Sequence, residues 1–85
     1  MPEISRFYGI VIEMRPREHG YAHFHAYYGG DEVSVRIADG TIVGRFPKAR
    51  LALVRRWLEL HRAELFENWK RLQQKQPPRY IEPLC

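Results

Sequence analysis

Residues 21–30 read Tyr-Ala-His-Phe-His-Ala-Tyr-Tyr-Gly-Gly, and this stretch decides the fold. The first eight residues alternate small or apolar side chains with polar ones, which predicts a strand with one buried face. The glycine pair that follows predicts a hairpin turn, because such turns need residues that accept positive φ angles. Apolar residues at Val33, Val35 and Ile37 then alternate with polar ones and predict the returning strand.

Two further strands flank this hairpin in the prediction. Phe7 to Met14 predicts a first strand, in which Gly9 indicates either a bulge or a close backbone approach. Arg15 to Gly20 is expected to form the connecting loop. Asp39-Gly40 predicts a second tight turn, after which Thr41 to Phe46 returns as the fourth strand.

Beyond residue 47 the apolar spacing changes from two residues to three or four, which indicates an amphipathic helix over residues 47–76. A straight helix of about 27 residues would span roughly 40 Å. That is long for so small a sheet, so two helices or a bend near His61 to Ala63 are expected. The pair Pro77-Pro78 cannot continue a helix, and residues 77–85 are expected to be extended.

The expected fold class is therefore α+β. A four-stranded antiparallel β-meander over residues 1–46 would be packed on one face by a C-terminal helix or two-helix segment, followed by the tail 77–85. The chain of 85 residues allows one domain, 1–85, with one small core. On the second strand the apolar set that contains Phe24 should face the helix, which places His23 and His25 on the outer face.

Charge is distributed unevenly along the chain, whose net charge is +4. Residues 1–46 carry five arginines against six acidic residues, and residues 47–85 carry nine basic residues against four glutamates. The basic helical half indicates either a surface for RNA, DNA or an acidic protein, or simply a solvated helix face. With one cysteine, Cys85, no secretory signal and no apolar run of membrane-spanning length, a cytoplasmic protein without a membrane partner is expected.

Hairpin arithmetic predicts the neighbours of the histidines. If Gly29 and Gly30 form the turn, Phe24 pairs with Val35, while His23 lies opposite Arg36 and His25 opposite Ser34. The Asp39-Gly40 turn similarly predicts that Ile37 pairs with Ile42, and Ser34 with Arg45. The predicted outer face then carries seven polar or aromatic residues: Tyr21, His23, His25, Tyr27, Ser34, Arg36 and Arg45.

This combination of residues is suited to phosphate chemistry. His23 and His25 are the candidate acid and base, and Arg36 and Arg45 are the candidates for stabilising phosphate charge. The remaining three residues of the face are candidate binding residues, because tyrosine rings stack on bases: Tyr21, Tyr27 and Ser34. The prediction is a metal-independent ribonuclease that needs no cofactor.

Two alternatives use the same residues. An outer face rich in tyrosine, histidine and arginine is equally typical of a non-catalytic interaction module, such as an antitoxin or adaptor. A weaker alternative is a metal site on His23 and His25, with His19 of the preceding loop as the third ligand.

Four segments resemble a family of small prokaryotic proteins known as domain of unknown function 4160. They are Met-Pro-Glu-Ile-Ser-Arg-Phe-Tyr-Gly-Ile at residues 1–10, His-Phe-His-Ala-Tyr-Tyr-Gly at 23–29, the Trp57 to Leu65 segment with Asn68-Trp69, and Ile-Glu-Pro-Leu at 81–84. Family members usually have Pro-Pro or a similar pair just before His-Phe-His, where this chain has Tyr21-Ala22.

The resemblance implies a component of a toxin–antitoxin type module, because genes of this family often lie beside those of another small family. It therefore implies a cognate small protein encoded nearby as a partner, and RNA as the substrate of a toxin. The sequence does not indicate an oligomeric state.

Overall fold

A computed structural model describes residues 3–85, so the first two residues of the predicted β-meander lie outside the described range. The described chain forms an antiparallel sheet of five strands in sequence order, followed by one helix. The strands are β1 (Glu3–Phe7), β2 (Ile10–Glu13), β3 (His23–Tyr28), β4 (Asp31–Arg36) and β5 (Ile42–Gly44), and the helix is α1 (Lys48–Gln73). The α+β class is confirmed, whereas the prediction of four strands is wrong.

The extra strand results from a turn inside the predicted first strand. Tyr8 and Gly9 adopt φ angles of 50° and 77°, so the chain reverses there, and Phe7 of β1 pairs with Ile10 of β2. Positive φ at both central residues is the conformation of a two-residue hairpin turn. Gly9 is also packed closely, since a Cβ at that position would lie 3.1 Å from the ring of Tyr28.

The β3–β4 hairpin has the predicted register. Phe24 pairs with Val35, His23 with Arg36 and His25 with Ser34. Both the alternation of apolar residues and the glycine turn require this register, because a one-residue slip would expose the apolar side chains of β3.

The β4–β5 register differs from the prediction by two residues. Ile42 pairs with Val35 instead of Ile37, and Ser34 lies opposite Val43 instead of Arg45. The cause is a longer turn: Arg36 bonds both Gly40 and Thr41 through its backbone, so residues 37–40 form the loop.

Helix α1 covers the sheet face that carries Phe24. The ring centroids of Phe24 and Trp57 lie 5.7 Å apart, and both side chains are fully buried. The backbone leaves helical geometry at His61 (φ −124°, ψ 22°), within the segment where a bend was expected. Across residues 3–85, no helix is both long enough and apolar enough to cross a membrane.

The C-terminal tail is held against the domain by hydrogen bonds. The Ile81 amide donates to the Ile4 carbonyl oxygen of β1 at 2.7 Å. Trp57 Nε1 donates to the carbonyl oxygen of Glu82 at 2.9 Å. Asn68, which is buried, bonds both the amide and the carbonyl of Arg79 at 2.8 Å. These bonds satisfy backbone groups of a segment without regular secondary structure.

Candidate functional site

Three side chains that can bind protons or metal ions meet at the start of β3. Glu18 belongs to the loop between β2 and β3, and its Oε1 lies 2.8 Å from Nε2 of His23 and 2.7 Å from Nε2 of His25. The two imidazole rings are 5.2 Å apart between centroids. We refer to Glu18, His23 and His25 as the Glu18 cluster.

The orientation of His23 is fixed on two sides. Its Nδ1 lies 2.9 Å from the carbonyl oxygen of Tyr21, and its ring packs against Trp69 of α1 with centroids 5.1 Å apart. A carbonyl oxygen only accepts hydrogen bonds, so Nδ1 carries the hydrogen of this pair. The Nε2 atom is therefore the one directed at Glu18.

His25 is nearly buried, like His23: their side chains are 10% and 11% exposed. It lies opposite Ser34 of β4 and Glu13 of β2. Its Nδ1 is 3.3 Å from Oε2 of Glu32, but the geometry does not make a hydrogen bond. Within the described part of the chain, this buried nitrogen has no hydrogen-bond partner.

Carboxylates and one arginine surround the histidines. Arg15 donates a hydrogen bond to the Tyr27 hydroxyl, and its guanidinium lies 3.3 Å from Glu32 and 3.8 Å from Glu13. Burial raises the pKa of Tyr27 above its ordinary value, although the hydrogen bond from Arg15 acts in the opposite direction. This side of the sheet is thus a mixed acidic and basic surface, less cationic than the sequence predicted.

Glu18 carries the negative charge of the cluster. Its partial burial acts to raise the pKa, but the hydrogen bonds from His25 and His23 outweigh burial and lower the pKa below the ordinary value of 4.5. The carboxylate is therefore ionised at neutral pH, and it is placed to stabilise a positive charge on either imidazole.

An aromatic ring and a guanidinium border the cluster. The Arg36 guanidinium lies 4.0 Å from the ring centroid of Tyr21, which is half exposed and packs edge-on to His23 with centroids 5.7 Å apart. Arg36 also lies 3.7 Å from Asp39. A cation stacked on an aromatic face is a favourable arrangement, and here it lies directly beside a cluster histidine.

The structure brings most of the predicted site residues together. His23, His25, Tyr21 and Arg36 are neighbours, and Ser34 lies opposite His25. Tyr27 is on the same face of β3 but bonds Arg15.

The structure separates one predicted residue from this group. Arg45 lies beyond the end of β5, is exposed, and does not pair with Ser34, because the register is shifted.

The sequence pattern does not predict Glu18, and the third ligand that it offers is the neighbouring His19. His19 is exposed and does not belong to the cluster. Loop residues have no periodicity that would assign their side chains to a face. The available signal was a carboxylate five and seven positions before the two histidines.

No cluster residue lines either of two surface grooves that the described residues form. These grooves have volumes of about 550 and 530 Å³. Residues of the β2–β3 loop and the end of α1 line one groove, and residues of α1 and the tail line the other. Both imidazoles are nearly buried, with side chains 11% and 10% exposed, and Glu18, at 26%, is the most exposed member of the cluster.

Comparison with known proteins identifies a family and gives no function. The family described as domain of unknown function (DUF4160) matches residues 9–70, a range that includes all three cluster residues. No curated protein and no solved structure matches the chain. Since the match covers well over half of the sequence, the chain belongs to the DUF4160 family.

Proposed function

We propose that the protein is the toxin-type component of a bacterial two-protein module, which binds a small cognate protein and cleaves RNA at the Glu18 cluster. The observation that carries the proposal is the single carboxylate oxygen within 2.8 Å of one imidazole and 2.7 Å of the other. Two histidines held in this way provide an acid and a base at one place, which is what phosphodiester cleavage requires.

In this mechanism one imidazole removes the proton from a ribose 2′-hydroxyl, and the 2′-oxygen attacks the adjacent phosphorus. The bond to the 5′-oxygen breaks, and the second imidazole donates a proton to that leaving group. His23 suits the acid, because its Nδ1 bonds a carbonyl and its Nε2 a carboxylate, and both of these partners accept hydrogen bonds. His25 is then the base.

Tyr21 and Arg36 supply the substrate contacts. The exposed Tyr21 ring offers a stacking surface for a base, and Arg36, 4.0 Å from that ring, offers a cation for the phosphate. The basic residues of the helical half add a general attraction for nucleic acid. Arg45 is not part of this proposal, since the structure places it beyond β5.

The decisive experiment uses untagged protein freed of metal with EDTA and an end-labelled single-stranded RNA of mixed sequence. Cleavage should give fragments that end in 2′,3′-cyclic phosphate. The His23→Gln and His25→Gln variants should no longer cleave the RNA. His61→Gln is the matched control, because His61 also bonds a glutamate, Glu64, at 2.6 Å but lies on the helix. Equal cleavage by a double variant of His23 and His25 would refute the proposal.

The partner is tested separately in cells. Expression of the chain alone should slow growth, and co-expression of the adjacent small gene should relieve it. A different outcome is that the purified protein binds RNA without cleaving it while expression of the chain leaves growth unaffected. In that case the non-catalytic interaction module becomes the better interpretation.

A further inference from the structure

The hydrogen bonding of His23 selects one ring nitrogen for the cluster. Because the Tyr21 carbonyl accepts from Nδ1, neutral His23 keeps its hydrogen on Nδ1 and directs the lone pair of Nε2 at Glu18. A lone pair facing an ionised carboxylate at 2.8 Å is repulsive unless a cation lies between them. At this separation the cation is a proton, and a metal ion, which takes each ligand atom at about 2.0–2.1 Å, can replace it once the two atoms move slightly apart.

The three residues form a suitable ligand set for a metal ion. One ligand atom from each of Glu18, His23 and His25 lies within 4.8 Å of the other two. Two imidazoles and one carboxylate bind zinc and other divalent transition metals, and leave coordination positions open to water. Glu18 is on a loop and its side chain is 26% exposed, so it can adjust to an ion and admit it from solvent.

Groups behind the ligands match those that support metal sites. Metal-binding histidines usually direct the second ring nitrogen at a carbonyl or carboxylate, which fixes the ring. His23 has the Tyr21 carbonyl at 2.9 Å, and His25 has the Glu32 carboxylate at 3.3 Å. The buried Nδ1 of His25 has no hydrogen-bond partner among residues 3–85, and the Glu32 carboxylate is the acidic group beside it.

We propose that Glu18, His23 and His25 bind one divalent transition-metal ion of the Zn²⁺ type, and that this ion switches off RNA cleavage at the cluster. The ion occupies the same Nε2 atoms through which the proposed proton transfer runs, so the metal-bound form has neither acid nor base. The metal site rests on the geometry alone, whereas the switch rests on the proposed function.

The test of the metal site uses untagged, EDTA-treated full-length protein titrated with ZnCl₂ by calorimetry and with CoCl₂ by visible absorption. One ion should bind per chain, and Co²⁺ should give the absorption bands of a protein-ligated ion. Glu18→Gln should weaken binding by at least about 100-fold, since changes to groups that only hold the ligands in place cost about 10–100-fold. Glu32→Gln should cause a smaller loss.

Two matched variants exclude other ligands. His19→Gln removes the adjacent exposed histidine, and Cys85→Ser removes the exposed terminal thiol; both should bind Zn²⁺ as tightly as the wild type. Circular dichroism of each variant separates loss of a ligand from loss of the fold. Glu18→Gln is the main variant because its loop position makes it less disruptive than a change at His25 in the sheet.

The outcomes separate the two proposals. Absence of Zn²⁺ binding, or binding that Glu18→Gln leaves unchanged, overturns the metal site without affecting the ribonuclease proposal. If Zn²⁺ binds and RNA is cleaved only by the metal-free protein, the switch is supported; cleavage that increases with Zn²⁺ overturns it. If Zn²⁺ binds but RNA is intact with and without metal, the proposed function fails, the switch fails with it, and the metal site stands.

Discussion

Glu18 Oε1 lies 2.7 Å from Nε2 of His25, although the two residues are seven positions apart and only His25 lies in a strand. A strand can align His23 and His25 unaided, because alternate side chains share a face. The carboxylate has to come from the β2–β3 loop, and the Gln73 side chain supports that loop by donating to the Glu18 carbonyl at 3.3 Å. The loop conformation therefore creates the cluster.

Acid stability should depend on Glu18. Burial raises and the two histidines lower its pKa, and the folded value lies below the ordinary 4.5. A depressed carboxyl pKa contributes stability that is complete above about pH 4.5 and is lost as the pH falls through the folded value. Urea unfolding in EDTA should show Glu18→Gln less stable by at most about 1 kcal/mol near neutral pH.

The same measurement at lower pH gives the critical comparison. The difference between wild type and Glu18→Gln should shrink as the pH falls below about 4.5, and it should be gone once the pH is below the lowered folded pKa of the wild-type carboxyl. A difference that stays constant through the acid range would show that the lost side-chain geometry, and not the carboxylate charge, causes the destabilisation.

Asn68 should control the attachment of the tail. Its side chain donates to the Arg79 carbonyl and accepts from the Arg79 amide, both at 2.8 Å, and the residue is 1% exposed. Asn68→Ala removes both bonds, and a buried polar group left without a partner costs about 1–3 kcal/mol. Chemical denaturation should show this loss, and trypsin should cleave after Arg79 faster than in the wild type.

The neighbouring Glu67 provides the control for the tail experiment, because it is exposed on the same helix turn. Glu67→Ala should leave both the stability and the cleavage rate close to wild type. If both variants lost the same stability and were cleaved equally fast by trypsin, the effect would come from the helix and not from the attachment of the tail.

Gly44 should not tolerate a side chain. Its φ angle is 118°, and a Cβ at this position would lie 2.6 Å from the backbone oxygen of Glu32. Gly44→Ala combines a disfavoured backbone conformation with a clash against β4, and strained backbone positions cost about 1–3 kcal/mol each. Gly30→Ala is the matched control, because a Cβ there meets nothing within 4 Å. Thermal unfolding of both variants distinguishes a local clash from a general loss of glycine flexibility.

Local pattern predicted the β3–β4 hairpin well, and the reason is visible in its residues. Phe24 and Val35 must both face the core, and this requirement excludes a one-residue slip. The predicted β4–β5 register was wrong because Asp39-Gly40 resembles a two-residue turn. In the structure the Ile37 amide donates to the Ala22 carbonyl oxygen, and the Ile37 side chain is buried in the core. The loop therefore lengthens at the expense of β5, and Arg45 falls outside the sheet.

The candidate site was predictable only as far as the strands carry it. His23, His25 and Arg36 follow from alternation and register. Glu18 does not, since its position depends on how a nine-residue connection between β2 and β3 folds. Asn68 is a similar case: its spacing fits a buried helix position, but nothing in the helix sequence indicates that its partner is the backbone of the tail.

Metal binding should be visible in the fluorescence of Trp69. Its indole lies 5.1 Å from the His23 ring, whereas Trp57 is near His61, which does not belong to the cluster. A paramagnetic ion such as Co²⁺ quenches an indole that is close to it, so titration should lower the emission. Diamagnetic Zn²⁺ added in excess should displace Co²⁺ and restore the emission. Trp69→Phe should abolish most of the quenching while the absorption bands of bound Co²⁺ persist. Quenching in Trp69→Phe as strong as in the wild type would place the ion away from Trp69 and so contradict the assigned ligand set.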